Sequence, residues 1–192
     1  MNTISVMIVG VGGQGTLLAS KVLGQALVSM DYDVKVSEVH GMSQRGGSVV
    51  TYVRYGDEVH SPIVDLGQAD YMLAFEPLEA ARYLPYLKKD GVIITNTRET
   101  MPMPVITGAA AYPENIVEKL KARANVVALD AMQLALEAGN PKTVNMVLIG
   151  VLASRMDLPE EVWQAALAKQ VPAKFLELNR RAFALGQAQK GV

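Results

Sequence analysis

The chain is 192 residues long and half hydrophobic, with 18 Lys and Arg against 19 Asp and Glu for a formal charge of −1. That length suits one well-filled core, and the near-neutral balance gives no bulk attraction to nucleic acid or an anionic membrane. Cysteine is absent and His40 and His60 are the only histidines, which excludes disulfides, thiolate nucleophiles, thiolate-ligated iron–sulfur clusters and a histidine-rich metal site.

The first apolar run, residues 4–9, ends in Gly10-Val11-Gly12-Gly13-Gln14-Gly15 and leads into a stretch with Leu17, Leu18, Val22, Leu23, Ala26 and Leu27 at helical spacing. Strand, glycine turn and a helix over residues 14–30 follow. Strands are predicted at 34–39, 48–54, 71–75 and 92–96, with a helix at 78–87, which is the βαβ rhythm of an α/β sheet. Residues 48–54, a turn at Tyr55-Gly56-Asp57-Glu58 and residues 59–63 read as a hairpin inserted into that order. The stretch Thr100-Met101-Pro102-Met103-Pro104 reads as an extended connector into a short strand at 105–107, because proline lacks a backbone donor.

A helix over 113–122, a buried strand at 125–129 and helices at 131–138 and 144–156, split by Gly139-Asn140-Pro141, come next. Asp157 and Glu160 resemble a reciprocal cap for a helix through Leu167. The last helix aligns Val171, Phe175, Leu178, Ala182 and Leu185 on one stripe, which docks on the domain or on another chain. The expected architecture is a single domain over residues 1–192: an α/β, Rossmann-like three-layer sandwich with a mostly parallel sheet, an inserted β-hairpin and C-terminal helices. No membrane-length apolar run and no leader pattern occur, so a soluble, cytoplasmic protein is expected.

Two loops carry the chemistry. Gly10, Gly12 and Gly15 satisfy the G-x-G-x-x-G spacing, and free amides at a helix N-terminus favour an anion there. Gly13 and Gln14 complete that turn, Gln14 adding an amide that both donates and accepts. The second loop reads Glu38-Val39-His40-Gly41-Met42-Ser43-Gln44-Arg45-Gly46-Gly47. Glu38 sits where a dinucleotide-binding domain places its ribose acid, His40 is a candidate proton carrier, and Arg45 can fork onto a phosphate or carboxylate. Each also has a plain structural reading: the glycines as strand-to-helix packing, His40 as a hydrogen-bonding residue, Arg45 as a loop salt bridge with Glu38. Glu76 sits at a strand's carboxyl edge and either faces a ligand or caps the next helix. Asn145, in an apolar helical run, needs a partner inside. On these residues alone an NAD-dependent dehydrogenase and a non-catalytic assembly scaffold both stay open.

The turn Gly10-Val11-Gly12-Gly13-Gln14-Gly15 and the second loop with its flanks Ser37 and Ser48-Val49, together with Ala74-Phe75-Glu76-Pro77-Leu78-Glu79-Ala80, Tyr83-Leu84-Pro85-Tyr86-Leu87 and Asn145-Met146, resemble the gamma-type domain of the 2-oxoacid:ferredoxin oxidoreductases, in its indolepyruvate branch. The resemblance implies oxidative decarboxylation of an arylpyruvate to an acyl-CoA with electrons passed to ferredoxin. It implies a hetero-oligomer in which a large alpha subunit holds thiamine diphosphate and iron–sulfur clusters, coenzyme A joins the complex, and this chain holds no metal or cofactor alone and is inactive alone. The candidate catalytic residues are then Glu38, His40 and Arg45. The candidate cofactor-facing residues are Gly10, Gly12, Gly13, Gln14, Gly15, Gln44, Gly46 and Gly47.

Overall fold

A computed structural model describes residues 3–39 and 46–189. The strands are β1 (Ile4–Val11), β2 (Asp33–Val39), β3 (Ser48–Gly56), β4 (Ala69–Ala74), β5 (Leu87–Asn96) and β6 (Asn125–Leu129). The helices are α1 (Thr16–Val28), α2 (Pro77–Tyr83), α3 (Met103–Ile106), α4 (Ile116–Lys121), α5 (Ala131–Ala138), α6 (Val144–Ala153), α7 (Glu160–Gln170) and α8 (Leu176–Gln187). The strands form one sheet in the order β2-β3-β1-β4-β5-β6, parallel except for β3, which runs against both its neighbours.

Alternation along β1 builds the three layers. Val6 and Ile8 face a core shared with α1, α5, α6, α7 and α8, while Met7 and Val9 face a smaller core completed by Ala80, Ile116 and Leu120. Both faces are therefore covered, which is what a mostly parallel sheet requires. The centre of the larger layer is α6, buried along Asn145 to Ala153. It meets α8 at two glycines: a Cβ on Gly150 would lie 2.1 Å from the Phe183 carbonyl oxygen, and one on Gly186 would lie 2.0 Å from that of Val147. Helix backbones touch there with no side chain between them.

Four expectations are corrected. The hairpin is made by β2 and β3, and residues 59–63 form no strand. Both edges of β3 are already taken by β1 and β2, and side chains hold the following segment instead: the Asp33 carboxylate accepts from the Val59 amide at 2.8 Å, and the Arg54 guanidinium donates to the Ser61 and Ile63 carbonyls at 2.9 Å each. Residues 105–107 form no strand either. Pro102 caps α3 and Pro104 lies in its first turn, where a missing donor costs nothing. At α7 the N-cap is Pro159, without a side-chain cap; Glu160 instead accepts from Gln164 and Gln187, each at 2.7 Å. The buried face of α8 is Asn179, Ala182, Phe183 and Gly186. Val171, Ala182 and Leu185 of the expected stripe do pack on the domain core, but Val171 and Phe175 precede the helix and Phe175 is exposed.

Candidate functional site

The chain leaves β1 at the carboxyl edge of the sheet and turns through Gly12, Gly13, Gln14 and Gly15 into α1. Gly15 has φ 88 and serves as the N-cap, a backbone region that side chains other than glycine rarely enter. The turn is braced from three directions. Gln14 Oε1 accepts from the Val11 amide at 2.7 Å, and Gln14 Nε2 reaches Thr100 Oγ1 at 3.4 Å. The buried Asn145 donates through Nδ2 to the Gly15 carbonyl at 3.3 Å, which is the interior partner its setting demanded. The Gly12 amide donates to the Gly47 carbonyl at 2.9 Å and the Gly46 amide to the Gly12 carbonyl at 3.3 Å. Gly10 lies within β1 beside Phe75. The glycine turn and the start of β3 are thus one unit.

Gly15→Ala puts a Cβ 2.9 Å from Asn145 Nδ2 in that same backbone conformation. The substitution is expected to destabilise the fold by about 2 kcal/mol, read as a lower urea midpoint at unchanged slope. An unchanged midpoint contradicts the assigned strain.

Between β1 and β4 the strand order reverses direction, and a cleft opens beyond the strand ends there, where α/β sheets bind ligands. Its volume is about 530 Å³, and it is lined by the Gly13–Gly15 turn, Phe75, Asn96, Arg98, Thr100, Met132 and residues 141–144. Arg98 and Lys142 are exposed, and neither forms an ion pair with another described residue. Two cations, the amide-rich start of α1 and the apolar Phe75, Met132 and Val144 suit an anionic ligand with an apolar or ring-bearing portion. Neither cation was singled out by sequence reasoning. The available signal was Arg98's place just after a strand's carboxyl end.

A second groove, about 360 Å³, lies on the other flank of the turn, with Glu38, Val39, Leu17 and Thr51 in its wall. Glu38 Oε1 lies 3.2 Å from the Ser20 hydroxyl. Insertion of β3 moves β2 one strand further from β1 than in a dinucleotide-binding sheet, a displacement of about 5 Å. Glu38 nonetheless shares this groove with Gly12, Gly13 and Gly15 of the turn.

Below the cleft, Glu76 is buried and caps α2, accepting from the Glu79 amide at 3.0 Å, the Thr100 amide at 3.3 Å and the Tyr112 hydroxyl. Burial raises its carboxyl above the ordinary value, outweighing these three donors. The same burial, with the neighbouring carboxylate, pushes the Tyr112 phenol upward. His40, Gln44 and Arg45 lie outside the described residues. Among the described residues no group of three or more His, Cys, Asp or Glu is placed to hold a metal ion, and no helix is long and apolar enough to cross a membrane.

The pyruvate ferredoxin/flavodoxin oxidoreductase family model matches residues 5–189. Indolepyruvate oxidoreductase subunit IorB of Thermococcus kodakarensis is 46% identical over 193 residues, covering 97% of this chain and 95% of that protein. The keto/oxoacid ferredoxin oxidoreductase gamma subunit of Geobacter sulfurreducens shares the fold with a TM-score of 0.73 at 24% identity, covering 97% of this chain and 98% of that one. A chain of 2-oxoglutarate:ferredoxin oxidoreductase from Magnetococcus marinus superposes with a TM-score of 0.76 at 17% identity, covering 99% of this chain but 31% of its own length.

Proposed function

Because this chain belongs to the pyruvate ferredoxin/flavodoxin oxidoreductase family, we propose that it is the small subunit of a cytoplasmic indolepyruvate:ferredoxin oxidoreductase. The observation that carries this reading is the 46% identity, over 97% of this chain, with a subunit of an indolepyruvate oxidoreductase. In such a complex thiamine diphosphate is the electron sink for decarboxylation, iron–sulfur clusters take the two electrons on to ferredoxin, and coenzyme A accepts the acyl group.

The residues here sort those groups. A chain with no cysteine offers no thiolate to a cluster, so the clusters belong to the large partner subunit, to which the subunit reading also assigns thiamine diphosphate. Coenzyme A is different, because its phosphates match Arg98, Lys142 and the α1 N-terminus, and its adenine matches the apolar wall of Phe75 and Met132. This chain's part is to bind and orient the acyl acceptor at the carboxyl edge of the sheet. His40, Arg45 and Glu38 are the side chains we assign to acid–base and carboxylate-binding work in the assembled enzyme, individual roles being open to substitution there.

The test is anaerobic reconstitution with the cluster-bearing large subunit. Indolepyruvate- and coenzyme A-dependent ferredoxin reduction is expected only when both chains are present. Arg98→Glu with Lys142→Glu is expected to raise the KM for coenzyme A about 10-fold or more while leaving assembly intact. Full activity of the large subunit alone, or pyridine-nucleotide turnover by this chain alone, overturns the subunit reading. An unchanged KM removes the coenzyme from this cleft.

A further inference from the structure

The groove on the β2 flank of the glycine turn has a volume of about 360 Å³, within the span of about 300–1,000 Å³ typical of small-molecule sites. Strand register builds its floor. Glu38 pairs with Thr51 across β2 and β3, and Thr51 pairs with Ile8 of β1. Directly opposed residues share a face of the sheet, and Ile8 belongs to the core packed under α1. Glu38 and Thr51 therefore stand side by side on the α1 side of the sheet, near its carboxyl edge.

Two polar atoms on that floor have no partner among the described residues. The buried Ser20 hydroxyl lies 3.2 Å from Glu38 Oε1 and 2.9 Å from the Leu17 carbonyl, which orients the carboxylate and leaves Oε2 without a hydrogen bond. Thr51 is only 5% exposed and lines the groove, and its hydroxyl bonds to no other described side chain or backbone group. The unpartnered side-chain atoms sealed from solvent are Arg54 Nε, Trp163 Nε1 and Arg180 Nε; the Thr51 hydroxyl is not among them, so its open side is the groove. A hydroxyl buried without a partner is destabilising, and a polar group of a ligand satisfies it. Leu17, Val39, Val49 and Val50 wall this floor, and Gly12, Gly13 and Gly15 of the turn into α1 close one end.

We propose that this groove binds a nucleoside diphosphate with an unmodified ribose, at a site apart from the cleft of Arg98 and Lys142 and independent of the subunit reading. Three parts of the groove match three parts of such a ligand. The vicinal hydroxyls of the ribose donate to Glu38 Oε2 and meet Thr51 Oγ1, the base lies between Leu17 and the valines, and the phosphates reach the amides of the turn. The strand order selects a diphosphate: with β3 inserted, β2 stands one strand further from β1 than in a dinucleotide-binding sheet, so a single phosphate on a ribose held at Glu38 falls short of the turn. Coenzyme A does not meet these terms, because its ribose carries a 3′-phosphate that would stand against the Glu38 carboxylate. Glu38 is then a ligand-binding residue in this groove.

The experiment titrates the full chain with ADP and with UDP by calorimetry and follows side-chain methyl resonances. Saturable binding is expected, with the methyls of Leu17, Val39 and Val49 shifting and those of Met132 and Val144 unmoved. AMP and 2′,3′-dideoxy-ADP are each expected to bind about 10-fold more weakly than ADP. Glu38→Ala is expected to weaken ADP binding about 10-fold and Thr51→Val about 5-fold. Thr51→Val should also unfold at a urea midpoint no lower than the wild type, since the hydroxyl it removes satisfies nothing in the fold. Arg98→Glu with Lys142→Glu is the control and leaves ADP affinity unchanged. No binding of either diphosphate at millimolar concentration, or equal affinity for ADP and its dideoxy form, overturns the proposal. So does ADP binding that is lost in the Arg98 and Lys142 double variant but kept in Thr51→Val, which puts the nucleotide in the larger cleft. Each of these results leaves the subunit reading as it stands.

Discussion

Gly186→Ala is expected to destabilise the chain by about 3 kcal/mol or more, the largest stability loss from adding one methyl group anywhere described here. A Cβ at that position would stand 2.0 Å from the Val147 carbonyl oxygen and 2.9 Å from its carbon. These are backbone atoms of α6, a helix buried from Asn145 to Ala153 between sheet and neighbouring helices, so no flexible side-chain end can yield. Relief requires α8 to move away, which opens gaps around Phe183 and Trp163, whose rings sit 5.7 Å apart. Gly150 is the reciprocal position, its added Cβ 2.1 Å from the Phe183 carbonyl. The measurement is the urea midpoint of the isolated chain. A loss below about 1 kcal/mol means the helices can separate freely and refutes the close-approach account. Gly24→Ala is the matched control, because its Cβ meets nothing nearer than Val36 Cγ2 at 3.8 Å.

Glu76→Ala is expected to cost about 3 kcal/mol, combining a lost N-cap with donors left unpaired in the interior. The Glu79 amide, the Thr100 amide and the Tyr112 hydroxyl all donate to this one side chain. The loss should concentrate at residues 100–112, seen as faster amide exchange there before global unfolding. Glu76→Gln separates charge from shape. Burial raises the Glu76 carboxyl above its ordinary 4.5 in the folded state, so ionisation is harder folded than unfolded. The stability this group contributes is therefore greatest below the ordinary carboxylate value and declines as pH rises through the higher folded value. The wild-type advantage over Glu76→Gln is expected to be larger at acid than at neutral pH. An advantage that grows toward neutrality reverses the sign and shows the hydrogen bonds outweighing desolvation.

Local signals carried far in this chain. The buried strand expected at 125–129 and the helix expected at 131–138, ended by Gly139, coincide with β6 and α5. Asp130 accepts from the Gln133 amide and Gly139 closes α5 in the left-handed region, so both ends of that helix are written in neighbouring residues. Asn145 announced an interior partner because an amide in an apolar run must be satisfied, and Glu76 proved to be the helix cap that its place before Pro77 allowed.

What stayed hidden was pairing. The apolar run at 48–54 predicts a strand but not which strand lies beside it, and the answer depends on β1 and β2, which close both of its edges. The cleft was hidden for the same reason: residues 13–15, 96–100, 132 and 141–144 share no sequence pattern and meet only because the sheet reverses its winding between β1 and β4. Pro102 and Pro104 misled because proline opposes helix interiors yet suits a first turn. The fold class and the family were legible. Arg98 and Lys142 were not.

The reversed direction of β3 has a bearing on how such proteins diversify. In a purely parallel sheet every loop at the carboxyl edge is bought with a crossover helix, so altering it disturbs packing on one face. Here Val39 pairs with Val50 and Gly10 with Val49, so β2 ends and β3 begins at that same edge. A connection between neighbouring antiparallel strands needs no crossover, so substitutions within it can leave both helical layers as they are.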